Sequence, residues 1–278
     1  MRNITGKIIG TLAAAIDFIY TPGGTPIAKL LIAGELNKQR ADTGETVNLP
    51  FYLSVTMIGK GAENLMERRY EPGDVLCVTG QPQYESWKND VGVQRSNVTM
   101  RALNVEKVSG EFETTTDKGD FIRLAGGVNS FSFIGNLSDD AVVGATPSGD
   151  AVCNYRLGVN ESFKDGRGQQ IERTHWFDYT AWREEAEAMQ GAVKGQPVMV
   201  LDASLLRNTY TDKDGNEVAK RYFEVTQHAL LLKRPAREGA REGAPVRSQP
   251  TVRPAPETPY IPVQSAGAGL DVDSDPAW

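Results

Sequence analysis

The sequence predicts an all-β protein of two tandem five-stranded barrels, each carrying one short helix, followed by a disordered C-terminal tail. Three observations lead there. First, the 278-residue chain repeats itself at an offset of about 125 residues, a period long enough for whole domains. Ile9-Gly10-Thr11-Leu12 returns as Ile134-Gly135-Asn136-Leu137, and Thr21-Pro22-Gly23-Gly24 returns as Thr146-Pro147-Ser148-Gly149. Ala62-Glu63 and Ala186-Glu187, Gly73 and Gly195, then Gly92 and Gly215 follow in the same order. Second, the segments between these landmarks have the β-branched and apolar content of strands. Third, beyond Lys233 the chain turns to Pro, Gly, Ala and Arg with few large apolar residues, too little to offset its ordering entropy by burial.

In the first copy the strands are expected at 3–12, 27–36, 49–58, 75–83 and 96–105, with a helix over 62–69. In the second they are expected at 130–137, 152–161, 174–182, 197–205 and 219–226, with a helix from 184 to about 192. Five short strands with one helix between the third and fourth is the order of an OB-fold, a small partly open barrel whose face and loops bind oligonucleotides. Long polar loops are expected between strands 2 and 3 (37–48 and 162–173) and between strands 4 and 5 (85–95 and 207–218). The domains are then 1–108 and 129–233, joined by a linker over 109–128 whose first part is a Thr run among charges. A disordered stretch over 234–269 leads to an acidic tip over 270–278.

The segment 174–182, Thr-His-Trp-Phe-Asp-Tyr-Thr-Ala-Trp, carries two different faces when wound as a strand, because alternate side chains point to opposite sides. His175, Phe177, Tyr179 and Ala181 form a core face, and Trp176, Asp178, Thr180 and Trp182 form the other. Two indoles among small polar groups suit a base-stacking surface, since every base offers a π-face. A second apolar layer would suit them equally, because aromatics are favoured in strands. In the first copy Phe51, Leu53, Val55 and Met57 alternate with Tyr52, Ser54, Thr56 and Ile58 in the same way.

Composition narrows the function classes. No apolar run approaches the roughly 20 residues of a membrane span, and residues 1–10 lack a basic region followed by an apolar core, so a soluble, cytoplasmic protein with no membrane partner is expected. Cys77 and Cys153 are too few for a disulfide framework and read as small core residues. His175 and His228 are the only histidines, so no Cys/His cluster has metal-ligand spacing, and neither a metal nor another cofactor is expected. Gly59-Lys60-Gly61 lacks the longer glycine loop of a nucleotide site, and an enzyme has no positive support. The net charge of −6 excludes a globally positive field. Any affinity for DNA must come from local cations and stacking. An OB-fold scaffold that binds proteins rather than DNA is the alternative.

The second copy runs Glu161-Ser162-Phe163-Lys164-Asp165, then Thr174-His175-Trp176, Trp182-Arg183, Ala186-Glu187 and Tyr210-Thr211-Asp212 before Gly215. On these residues, nearly the whole chain resembles a bacterial single-stranded DNA-binding protein, of the variety with two OB-folds per chain that assembles as a homodimer. The resemblance implies that Phe163, Trp176, Trp182 and Tyr210 stack on bases. The first copy keeps Ile58-Gly59-Lys60, Ala62-Glu63, Gly80-Gln81 and the aromatic of Ser86-Trp87-Lys88. It departs from the family where Tyr52 stands for the usual Trp and Ile58 for an aromatic, and the Asn37 region offers no counterpart to Phe163. Fewer stacking contacts are therefore expected there, through Tyr52 and Trp87.

Lys164, Arg167, Arg173, Arg183 and Arg207 in the second copy, with Lys38, Lys60, Lys88 and Arg95 in the first, are the candidates for phosphate contacts. The end of the chain, with Asp271, Asp273, Asp275, Pro276 and Trp278, resembles the family's C-terminal interaction tip. That likeness implies DNA replication, repair and recombination proteins as partners, although the usual ending is an apolar residue, Pro and Phe. A merely solubilising acidic end is the other reading.

Overall fold

The computed structural model describes residues 4–39, 44–88, 94–117, 119–164, 168–211 and 217–232. The first copy contains β1 (Ile4–Leu12), β2 (Asp17–Tyr20), β3 (Pro26–Gln39), β4 (Thr46–Ile58), α1 (Lys60–Arg68), β5 (Val75–Lys88) and β6 (Gln94–Lys107). Between the copies lie β7 (Thr114–Thr116) and β8 (Ile122–Leu124). The second copy contains β9 (Val128–Leu137), β10 (Val143–Ala145), β11 (Ala151–Lys164), β12 (Gln170–Trp182), α2 (Arg183–Glu187), β13 (Pro197–Thr211) and β14 (Glu217–Leu230). In each copy strand 1 pairs with strands 2 and 4, and strand 5 closes the ring by pairing antiparallel with strand 4 and parallel with strand 3. The second ring repeats these pairings through β9, β11, β12, β14 and β13. The expected pair of five-stranded OB barrels is what the chain forms.

Alternation builds both cores. Phe51, Leu53, Val55 and Met57 are buried along β4, and His175, Phe177, Tyr179 and Ala181 along β12. The first core is mainly aliphatic, with Ile8, Leu12, Leu30, Ile32, Leu76 and Met100 fully enclosed. In the second, Phe133 contacts Phe223, Tyr179 and Phe177 at centroid distances of 4.7, 5.3 and 5.4 Å, at the edge-to-face and tilted angles favoured by aromatic quadrupoles. Burial of each such ring contributes roughly 1.5–3 kcal/mol. The barrels join edge to edge: β1 pairs antiparallel with β9 from Ile4↔Phe133 to Ile9↔Val128, making one continuous sheet.

Several expectations need correction. The four long loops are largely extended hairpin arms, because β3–β4, β5–β6, β11–β12 and β13–β14 pair far beyond the barrels. These arms are mostly polar, with Trp87, Phe163 and Tyr210 among them, so backbone pairing continues where apolar alternation has ended. Strands β2 and β10 were not expected, yet each forms a hairpin with strand 2 of its copy. The recurring Thr-Pro-Gly-Gly and Thr-Pro-Ser-Gly landmarks are the turns of those hairpins, with Gly24 and Gly149 at φ 77° and 90°, where a Cβ is disfavoured. Helix α2 ends at Glu187 rather than near residue 192. Its continuation is a series of tighter turns, Met189 N–H to Ala186 and Gln190 N–H to Glu187, closed by Gly191 at φ 78°.

The segment 109–128, between the two copies, carries a short hairpin. β7 and β8 form a hairpin held by β-branched Thr114–Thr116 and by Leu124, which is buried. Asp117 shapes its turn by accepting the N–H groups of Gly119 and Phe121 at 2.9 and 3.1 Å. Leu124 pairs with Gly34, and the Thr11 hydroxyl donates to the Ile122 carbonyl, fixing the hairpin against the first barrel.

Candidate nucleic-acid interface

On the second barrel the outer face of β11 and β12 is a ladder of cross-strand pairs. Thr174 donates to Asn160 at 2.9 Å and Thr180 to Asn154 at 2.8 Å, while Arg156 lies 2.7 Å from Asp178. Trp176 sits between the first and last of these pairs, opposite Gly158. Its ring lies over that glycine: a Cβ there would come within 2.9 Å of Cζ3. The outer edge of the indole therefore packs against that glycine, yet the side chain is 36% exposed. Trp182, six residues on, is half-buried where the strand turns into α2. At the rise of an extended strand the two indoles are about 20 Å apart.

The ladder is electrostatically self-contained. Asp178 takes Arg156 on one side and Lys220 of β14 at 3.2 Å on the other. Burial raises its pKa, but the Arg156 hydrogen bond and both cations outweigh it and hold the carboxyl below its ordinary value. Arg156 and Lys220 were missed by the sequence reading, although Arg156 is two residues from Gly158 on the same strand and so on the same face. Arg173 and Arg207 are exposed, as is Lys60 at the start of α1. Arg183 has left-handed φ 52° and donates to Asp150 at 3.0 Å; the first copy has Gly59 at φ 68° in that place.

The first barrel presents its corresponding face differently. Tyr52, opposite Ala33 as Trp176 is opposite Gly158, lies under the β7–β8 hairpin. Its hydroxyl donates to Asp117 and accepts from Arg123 at 3.1 Å, and its ring meets Phe121 edge-on at 6.2 Å. Burial first, and the Asp117 bond second, push its pKa up to about 12. Arg123 also pairs with buried Glu35 at 3.1 Å, to which Thr115 donates at 2.9 Å. Trp87 on β5 is 44% exposed, and Ile58 is exposed at the end of β4. Lys38 is ion-paired with Glu224 of the second barrel.

Phe163, Lys164, Tyr210, Lys88 and Arg95 lie on strands, but their side chains are outside the described part. Arg167 and the tip residues Asp271, Asp273, Asp275, Pro276 and Trp278 lie outside the described residues altogether. His175 is buried, 3.1 Å from Glu161, and His228 lies beside Glu185 at 2.5 Å. Among the described residues no three His, Cys, Asp or Glu side chains group as metal ligands, and no helix is long and apolar enough to cross a membrane.

Comparison with known proteins gives a consistent picture. A family model described as single-strand binding protein family matches residues 5–108 and again 128–231. The single-stranded DNA-binding protein of Deinococcus radiodurans is 35% identical over 226 residues, 81% of this chain and 74% of its own. That of Thermus aquaticus is 35% identical over 237 residues, 85% of this chain and 86% of its own. The crystal structure of the wild-type Thermus aquaticus protein matches with a TM-score of 0.65 at 29% identity, over 86% of this chain and 98% of that one.

Proposed function

The chain belongs to the single-strand binding protein family, and from that premise we propose that it binds and protects single-stranded DNA without marked sequence preference. The observation that carries this is Trp176, packed over Gly158 yet open to solvent, beside a ladder whose polar groups already have partners. A base set on that indole gains about 1–3 kcal/mol whatever its identity, and leaves no polar group of the ladder stranded. Trp182 extends the platform, and Phe163 and Tyr210 complete it in the reading based on the family. Phosphates then meet Arg173 and Arg207, with Lys60 and Trp87 serving the first barrel. Counterion release makes the affinity fall with salt.

The wider role follows from the same family reading. The protein acts in DNA replication, repair and recombination in the cytoplasm, associated with the nucleoid, as a homodimer that brings four barrels together. Its acidic tip recruits DNA-processing enzymes through Asp271, Asp273, Asp275, Pro276 and Trp278. Competition against a labelled oligothymidine tests the binding claim: unlabelled single strands of mixed sequence are expected to displace it, and duplex of equal length is not. Equal competition by duplex would overturn it. Removing residues 270–278 should leave that binding intact while abolishing stimulation of a purified exonuclease from the same cell. Light scattering of the full chain should give twice the chain mass.

A further inference from the structure

The barrels meet through their first strands, and the register defines what this junction accepts. Corresponding pairings align the copies: Gly6↔Gly80 with Phe131↔Ala203, Gln81↔Arg101 with Ser204↔Glu224, and Tyr84↔Val98 with Arg207↔Arg221. Gly6 is thus the counterpart of Phe131, and the two face each other across β1 and β9. The local two-fold axis passes through a position where one copy has no side chain and the other a phenyl ring. That ring fills the space, since a Cβ on Gly6 would lie 2.5 Å from Phe131 Cδ1. Val98 and Arg221 are also counterparts, and there Arg221 donates to the Val98 carbonyl at 3.2 Å.

Charge follows the same rule. Arg101 of the first barrel meets Glu161 of the second at 3.2 Å, and Lys38 of the first meets Glu224 of the second. Arg101 and Glu224 are counterparts, so the first copy supplies both cations and the second both carboxylates. Glu161 and Glu224 are buried, where an unpaired charge is costly. Two second copies joined in this geometry would set Glu161 against Glu224, Arg221 against Arg221 and Phe131 against Phe131. Two first copies would set Lys38 against Arg101 and leave a gap beside Gly6.

The geometry points to a junction that accepts only unlike copies: the strand-1 edge of the first barrel is a docking surface for a second barrel and rejects another first barrel. However many chains assemble, barrels then meet through this junction only in unlike pairs. The copies are complementary halves, and neither can replace the other.

A protease site inserted between Glu111 and Phe112 of the full chain, in the exposed stretch after β6, provides the test. After cleavage the two fragments should stay together in native mass spectrometry. After joint unfolding and refolding they should reappear only in species with equal numbers of each. Species built from one fragment alone, in comparable yield, would overturn the proposal. Where the cut fragments do not refold, charge reversal in the uncut chain decides. Arg101→Glu and Glu161→Arg should each lower Tm, and the double variant should recover more than half of the loss. A double variant no better than the worse single one contradicts the proposal.

Discussion

Trp176 and Tyr52 occupy the same place in two copies of one barrel, and their surroundings have diverged. The indole lies on a face whose polar groups are paired and whose ring is left open. The phenol lies under a hairpin that supplies an aromatic edge from Phe121 and a carboxylate from Asp117. A base approaching Tyr52 meets a phenol already engaged by Asp117, Arg123 and the edge of Phe121; one approaching Trp176 meets an open indole beside an Asp178 already paired with Arg156 and Lys220. Duplication of a binding fold thus does not duplicate its binding surface. The short segment between the copies covers Tyr52 on the first face.

Breaking the open side should have the largest effect. Trp176→Ala should weaken oligothymidine binding by about 1–3 kcal/mol, the worth of one stacked base, with a similar loss for Trp182→Ala. Tyr52→Ala should change affinity far less, and anisotropy titrations at one salt concentration compare all three. Opening the covered side comes next. Asp117→Asn with Phe121→Ser should release Tyr52 and lengthen the strand that one chain occludes, with a gain of up to about 1 kcal/mol, the lower end of one stack. Unchanged occlusion would mean that the hairpin does not limit the first face.

Smaller effects concern charge. Asp178→Asn removes the carboxylate that Arg156 and Lys220 share and should steepen the dependence of log affinity on log salt by up to about 0.7. His175 sits at the junction of the barrels, between Glu161 and the Tyr84 N–H, with Arg101 and Arg173 nearby. Burial lowers its pKa below 6.5 despite Glu161, which favours the charged ring. The folded protein therefore resists protonating it, and stability present above pH 6.5 should be lost as pH falls below that value. Tm measured between pH 7 and 5 should fall less for His175→Phe, which installs the first copy's Phe51 at the equivalent place.

The barrels and the faces of β4 and β12 were legible because burial imposes a period of two, which assigned Phe177 and Tyr179 inward and Trp176 outward. The hairpin arms were not, since single aromatics such as Trp87, Phe163 and Tyr210 among polar residues leave no period to read. Strands β2, β7, β8 and β10 are three or four residues long and carry too little pattern. That Asp117 and Phe121 would cover Tyr52 depends on contacts across more than sixty residues of chain, which composition and spacing do not encode. The same holds for Lys38, which the sequence offers as a phosphate ligand and the fold gives to Glu224.

Stacking of bases on the second barrel's indoles is the binding mode proposed. It is tested most directly in a chain carrying Trp87→Phe and Trp278→Phe, which leaves only Trp176 and Trp182 to emit. Titration with oligothymidine at low salt should quench their fluorescence in step with binding followed by anisotropy of a labelled strand. Full binding with unchanged indole emission would place the bases elsewhere and contradict the account.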